Sequence, residues 1–301
     1  MFNRILVPLD GSKLAESVMP TACYLSSQLH ATLVLFHVVE KKAPEEIHGQ
    51  HHLREVGEAR TYLENLAEQL SCNGVFTEIN VHEVQESGVA QTIRDHAVEL
   101  HTDMVILCAH GSGGLRDMLF GSIAQQVIRQ GAVPVLFIKP DSVSDIKETG
   151  IRRILLPLDG SPSHEESIPA ALELAGKCGA DIRLLTVIPT EDTSSVREQL
   201  TLRVSPRTAK LSLAAAERHA EEYLQTIGKQ ISDKGIKVSG LVLRGDPATL
   251  AAEAAVQEQA DMVIMATHGH NIADARWEGS LTPRFLPKNT APVLLVQGGE
   301  E

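Results

Sequence analysis

The chain states one pattern twice, and that repetition limits its fold more than any other feature. RILVPLDGS at 4–12 returns as RILLPLDGS at 153–161, with eight of nine positions identical. DMVILCAHG at 103–111 returns as DMVIMATHG at 261–269, and AVPVLFI at 132–138 is answered by APVLLV at 291–296. Self-similarity of this kind means copies of one structural unit. Asp10 and Asp159 are 149 positions apart, and Gly111 and Gly269 are 158 apart. The second copy therefore carries nine more residues, placed most simply within 188–210. Between the copies, DSVSDIKETG at 141–150 is polar and aperiodic, as linkers are. The chain reads as a first domain over 1–140, a linker over 141–150 and a second domain over 151–301. With 301 residues, each copy has enough chain for its own core.

Inside a copy, short β-branched runs alternate with longer helical patterns. The first copy predicts strands near 4–8, 32–39, 76–84, 104–108 and 134–138, with helices near 13–29, 52–71, 89–101 and 122–130. Runs such as TLVLFHVV and DMVILCA are almost wholly apolar, as in strands covered on both faces. Strands separated by helices predict parallel crossovers and a doubly wound α/β sheet. Ligands of such sheets collect beyond the carboxyl ends of the strands.

Both copies place distinctive residues at those ends. The first strand runs into Pro8, Asp10, Gly11 and Ser12, and its repeat into Pro157, Asp159, Gly160 and Ser161. The serines suit helix N-caps, and the carboxylates are placed to accept a donor from an adenine or a ribose. The fourth strand leads to Gly111, nine residues, then Gly121-Ser122; its repeat leads to Gly269, nine residues, then Gly279-Ser280. Glycine permits close backbone approach, and free N–H groups at a helix start attract phosphate oxygens. A capped loop would explain one such segment. The same spacing twice, beside the same aspartate, points to phosphate. The segment is neither a Walker loop, which needs GK[ST], nor the dinucleotide GxGxxG, which follows the first strand.

Composition removes several classes of function. A net charge of -12 argues against nucleic acid, and an aromatic content of 3% argues against base-stacking platforms. No apolar run approaches the roughly 20 residues of a membrane span. MFNRILVPLDGS enters a strand at once, which predicts no signal peptide. Cys23, Cys72, Cys108 and Cys178 form no CxxC pair and read as reduced thiols. A cytoplasmic protein without membrane association is expected. His48, His51 and His52 have helical metal-site spacing but are read as a solvated surface, with no metal. His110 and His268 lie beside the phosphate loops and are read as backbone-bonded. Ser122 with His110 lacks the GxSxG elbow of a hydrolase.

Taken together, ILVPLDGS, the HVV ending the second strand, and HG-x9-GS followed by PVL resemble the universal stress protein family in its tandem form. The resemblance spans nearly the whole chain. It implies a five-stranded parallel sheet of order 3-2-1-4-5 in each copy and binding of ATP or AMP, with any magnesium carried by the nucleotide. The family motif G-x2-G-x9-G-[S/T] is matched by Gly111, Gly121 and Ser122, and by Gly269, Gly279 and Ser280. Its first glycine falls instead on Cys108 and Ala266. Adenine contacts are implied on Asp10 with Val38 and on Asp159 with Val187, beside Pro8 and Pro157. The resemblance also implies pairing of the domains through VPVLFI and PVLLV, with a homodimer left open. The expected function is a stress-response regulator that binds adenine nucleotide and is not an enzyme. The alternatives are a slow ATPase or nucleotidyl transferase using the same pocket, and an interaction module without nucleotide. The second loop carries Asp274, and Glu278 where the first has Phe120. That charge predicts preferential filling of the first site, unless Arg276 offsets it.

Overall fold

The computed structural model describes residues 2–40, 46–47, 50–72, 74–84, 88–108, 126–127, 133–140, 150–190, 206–268 and 281–298. They form two units. The first contains Met1–Gly150 and also Pro292–Gln297. Its elements are β1 (Arg4–Pro8), α1 (Lys13–Glu16), α2 (Met19–Leu29), β2 (Thr32–Glu40), β3 (Glu46–Ile47), β4 (Gln50–His51), α3 (Val56–Ser71), β5 (Thr77–Val84), α4 (Val89–Glu99), β6 (Met104–Cys108) and β7 (Val135–Ile138). The main sheet runs β5-β2-β1-β6-β7, all parallel, which is the order 3-2-1-4-5. Ile5, Leu6 and Val7 of β1 and the run Leu33–Val39 of β2 are buried, so both faces of the sheet centre are covered.

The second unit contains β8 (Arg153–Pro157), α5 (Pro162–Glu165), α6 (Ser167–Cys178), β9 (Asp181–Ile188), α7 (Pro206–Ser232), β10 (Val238–Arg244), α8 (Pro247–Gln257), β11 (Met262–His268) and α9 (Leu281–Phe285). Its strands run β10-β9-β8-β11, all parallel, the same 3-2-1-4 order. The fifth strand of the second repeat, β12 (Val293–Gly298), packs with the first unit through Gln297. It lies antiparallel to β7, with Val293, Leu294 and Leu295 opposite Phe137, Leu136 and Val135. This is the pairing that VPVLFI and PVLLV imply. It gives β7, otherwise the edge of its sheet, a partner for its open hydrogen-bonding side.

The repeated motifs have local causes. Asp103 accepts the backbone N–H of Asn3 at 2.7 Å and of Arg4 at 3.0 Å, tying the start of β6 to the start of β1. Asp261 does the same for Arg152 and Arg153, at 2.8 Å each. The single helix expected over 13–29 is two helices, and its repeat is also split. Pro20 and Pro169 explain both breaks: proline supplies no N–H and is tolerated only in a first turn, so a new helix starts just ahead of it. The helix expected over 52–71 begins at Val56.

The size difference between the copies also needs correction. Val238 stands 161 positions after Thr77, whereas their sheet partners Ile182 and Leu33 stand 149 apart. Twelve residues therefore enter before α7. The helix caps Gly88 and Asp246 are 158 apart, so three residues are lost in the turn after β10. The buried positions Ala59, Leu63 and Leu70 of α3 recur at the same 161 spacing as Ala220, Leu224 and Ile231 of α7. In that register Val56, the start of α3, matches Glu217. The second unit instead begins its helix at Pro206, eleven residues earlier. In that register its first eleven residues match 45–55 of the first copy, the stretch that leads into α3 there.

Candidate functional site

The carboxyl ends of β1 and β8 carry one design with local differences. Asp10 Oδ1 accepts the Ser12 N–H at 2.9 Å and the Ser12 hydroxyl at 2.6 Å, while Ser12 Oγ accepts the Ala15 N–H at 3.1 Å as the N-cap of α1. Asp159 Oδ1 accepts the Ser161 N–H at 2.9 Å and its hydroxyl at 2.7 Å. In both turns these bonds fall on Oδ1, and Oδ2 makes no hydrogen bond among the described residues. Gly11 and Gly160 hold φ of +84° and +86°, a left-handed conformation that glycine adopts without Cβ strain. Leu9 donates to Phe36 O and Leu158 to Leu185 O, both at 2.8 Å, locking the tip to the second strand. The sequence-expected residues Pro8, Asp10 and Val38 thus share one sheet end, as do Pro157, Asp159 and Val187. Val38 is buried and Val187 half-buried.

A second tier lay outside the sequence reading. The Tyr62 hydroxyl on α3 donates to Glu16 Oε1 at 2.8 Å, and the Tyr223 hydroxyl on α7 donates to Glu165 Oε1 at 3.0 Å. Burial, reinforced by the adjacent glutamate, pushes both phenols well above their ordinary range. The tyrosines recur at the 161 spacing of their helices, and that recurrence was the available signal. Cys108, at the motif position usually held by glycine, touches Ser17 Oγ at 3.5 Å. Burial pushes its thiol up, and the Ser17 contact offsets part of that effect.

Two differences separate the tips. In the second unit His164 Nδ1 stands 2.6 Å from Asp159 Oδ1, and Ser161 Oγ lies 3.0 Å from the same nitrogen. Ser161 thus turns toward Asp159 and His164 and makes no cap bond to α5. Partial burial alone would raise the Asp159 carboxyl; the bonds from His164 and Ser161 outweigh it and hold the group below the usual carboxylate range. The first unit has Ala15 at the matching position.

In the first unit the chain ahead of α3 folds back on the tip. Leu53 is buried with Val39 and Ala59, against Tyr62 and Val81, and its Cγ and Cδ1 lie 2.9 Å from where a Cβ on Gly11 would stand. His52, expected on a solvated surface, is 3% exposed. The apolar neighbours of Leu53 draw this segment inward, and His52 goes with it. Around Gly160 no atom lies within 4 Å of such a Cβ among the described residues.

Gly111, Gly121, Ser122, Gly269, Gly279 and Ser280 lie outside the described residues, as do His48, His110, Asp274 and Glu278. Among the described residues no group of three His, Cys, Asp or Glu side chains could hold a metal, and no helix is long and apolar enough to cross a membrane.

Comparison with known proteins gives the same picture. A universal stress protein from Mycolicibacterium smegmatis is 26% identical over 300 residues, covering 97% of this chain and 96% of its own. The Bacillus subtilis universal stress protein YxiE is 27% identical over 152 residues, 46% of this chain and all of its own length. The crystal structure of a universal stress protein from Archaeoglobus fulgidus superposes with a TM-score of 0.72 at 16% identity, covering 99% of this chain and 100% of that one. The family model of the universal stress proteins matches twice, over residues 1–139 and 150–297, and the chain belongs to that family as a tandem of two such domains.

Proposed function

We propose that the protein is a cytoplasmic stress-response regulator that binds adenine nucleotide, ATP or AMP, at the strand tip of each unit. One observation carries the reading. Each tip holds an aspartate whose Oδ1 is fixed by its own turn, while Oδ2 lacks a partner among the described residues. A carboxylate fixed in this way accepts a ribose hydroxyl or an adenine amine with little reorganisation. Pro8 and Val38, and Pro157 and Val187, supply apolar surface beside it. The glycine-serine pairs 121–122 and 279–280 would take the phosphates at a helix start, with magnesium arriving on the nucleotide. Nucleotide occupancy would bias the affinity of the domains for a protein partner. Asp10 and Asp159 hold ligand, and no residue is assigned a catalytic step.

The test is chemical identification of nucleotide released by heat from the purified protein, followed by calorimetry. ATP or AMP binding that weakens by roughly 1–3 kcal/mol in Asp10→Ala supports the site. Unchanged affinity in Asp10→Ala and Gly121→Val would remove it. Multiple-turnover phosphate release abolished by Gly121→Val would replace the regulator with an ATPase.

A further inference from the structure

The first strand tip carries a device that the second lacks. His37, 1% exposed, puts Nδ1 2.6 Å from Leu9 O on the tip and Nε2 3.0 Å from Leu53 O on the segment ahead of α3. Both partners are acceptors, and a neutral imidazole carries a single N–H, so it donates to one of them at a time. At the matching place in the second unit Thr186 donates to Leu158 O at 2.9 Å, the counterpart of the Leu9 bond, and a threonine hydroxyl has no second N–H to offer. The residue that matches Leu53 in the helix register is Ala214, exposed within α7. The histidine and the leucine therefore occur together in one copy and are both missing from the other.

We propose that Leu53, on a strap over His52–Glu55 held by His37, is the gate of the first nucleotide site. This rests on the nucleotide reading above. Leu53 covers the face of Gly11, the residue next to Asp10, so nucleotide enters and leaves the first site when the strap lifts. When the strap lifts, water admitted beside the ring takes the proton from Nε2 and returns one to Nδ1, which then donates to Leu9 O, so the ring keeps one bond in both states. The tip of the first strand therefore stays intact while the strap opens. The second site has Thr186 in place of His37, and among the described residues none covers its glycine, so it exchanges ligand without that step. The two sites then differ in residence time in addition to any difference in affinity.

His37→Thr copies the second unit: it keeps a donor for Leu9 O and removes the donor to Leu53 O. Leu53→Ala trims the gate and leaves His37 in place, and serves if His37→Thr fails to fold. Hydrogen exchange of peptides spanning 52–55 is followed in nucleotide-free protein. Dissociation of N-methylanthraniloyl-ATP, chased by excess ATP, is followed in a Gly279→Val background that reports the first site. The expected result is faster exchange of 52–55 in His37→Thr, with dissociation accelerated about five- to tenfold in both variants, since such changes fall mostly on the off-rate. Unchanged hydrogen exchange in His37→Thr overturns the tether. Faster hydrogen exchange with an unchanged dissociation rate overturns the gate. If the analogue fails to bind even the Gly279→Val parent, the nucleotide reading has failed and the gate falls with it, while the hydrogen-exchange arm still reports separately on the tether.

Discussion

The tips of β1 and β8 differ in eight of nine residues not at all, alternating only Val7 with Leu156 across the motif, yet they end in different surroundings. Asp10 and Gly11 are half-buried, with Leu53 over Gly11, while Asp159 and Gly160 are exposed and Asp159 is engaged by His164. The shared motif fixes the turn: the Asp-Ser bonds, the left-handed glycine and the lock to the second strand are the same in both. What lies over the first turn comes from chain far outside the motif, the strap that carries Leu53, and among the described residues nothing takes that place at Gly160. Identical local sequence therefore secures identical backbone and leaves access and charge to its neighbours.

The strongest way to break the comparison is to remove the cover. Leu53→Ala should destabilise the first unit by about 2–3 kcal/mol, the low end for a buried leucine, because its cluster is small. Denaturant unfolding read by hydrogen exchange of β2 and α3 checks this; a loss below about 0.5 kcal/mol would show that the strap packs weakly. Next, Gly11→Ala and Gly160→Ala should each cost about 1–2 kcal/mol for placing a Cβ at positive φ. Gly11→Ala should cost more, since its Cβ must also displace Leu53. Equal losses in thermal unfolding would mean that Leu53 moves aside freely.

Smaller effects sharpen the picture from the side of the second unit. Ala214 lies exposed within α7, so Ala214→Gly should cost about 1 kcal/mol through helix propensity alone, with no effect on ligand exchange. A loss above about 2 kcal/mol would reveal a packing role like that of Leu53. The smallest change is expected in His164→Ala. The Asp159 carboxyl is held below its ordinary range, so its stabilisation is complete above the unfolded-state value near ~3.9 and is lost as pH falls through the lower folded value. The variant should be less stable by a few tenths of a kcal/mol at pH 5, an exposed pair being weak, and the difference should shrink steadily as the solution is acidified toward the lowered folded value. A difference that grows in acid would reverse the sign of the argument.

Much of the fold was legible because its signals are local. Short β-branched and nearly all-apolar runs placed β1, β2, β5 and β6 to within a residue, the strand–helix alternation predicted a parallel, doubly wound sheet, and the order of its strands came from the family resemblance. The helix at 13–29 was misread as continuous because Pro20 sits inside an otherwise helical pattern, where its position in a first turn becomes visible only once the break is known. The difference in copy length was read as one insertion because a net offset of nine hides a gain of twelve and a loss of three; sheet register separates them. At the site, the Asp-Gly-Ser turn was readable, since an aspartate and a serine two residues apart bond to each other whatever surrounds them. Tyr62, Tyr223, His164, His37 and Leu53 were not, because their partners lie one or more elements away.

By itself the sequence determined that the chain folds as two copies of one parallel α/β domain and that each copy ends its first strand in the same aspartate turn. Those outcomes follow from hydrophobic periodicity and from bonds within a few residues, both of which are written in consecutive positions. Tertiary structure alone decided that Leu53 closes over Gly11 while no described residue closes over Gly160, that His37 links the strap to the strand, and that β12 lies beside β7. Each of these joins residues that only packing brings together, and their energies depend on burial and distance that no local pattern records.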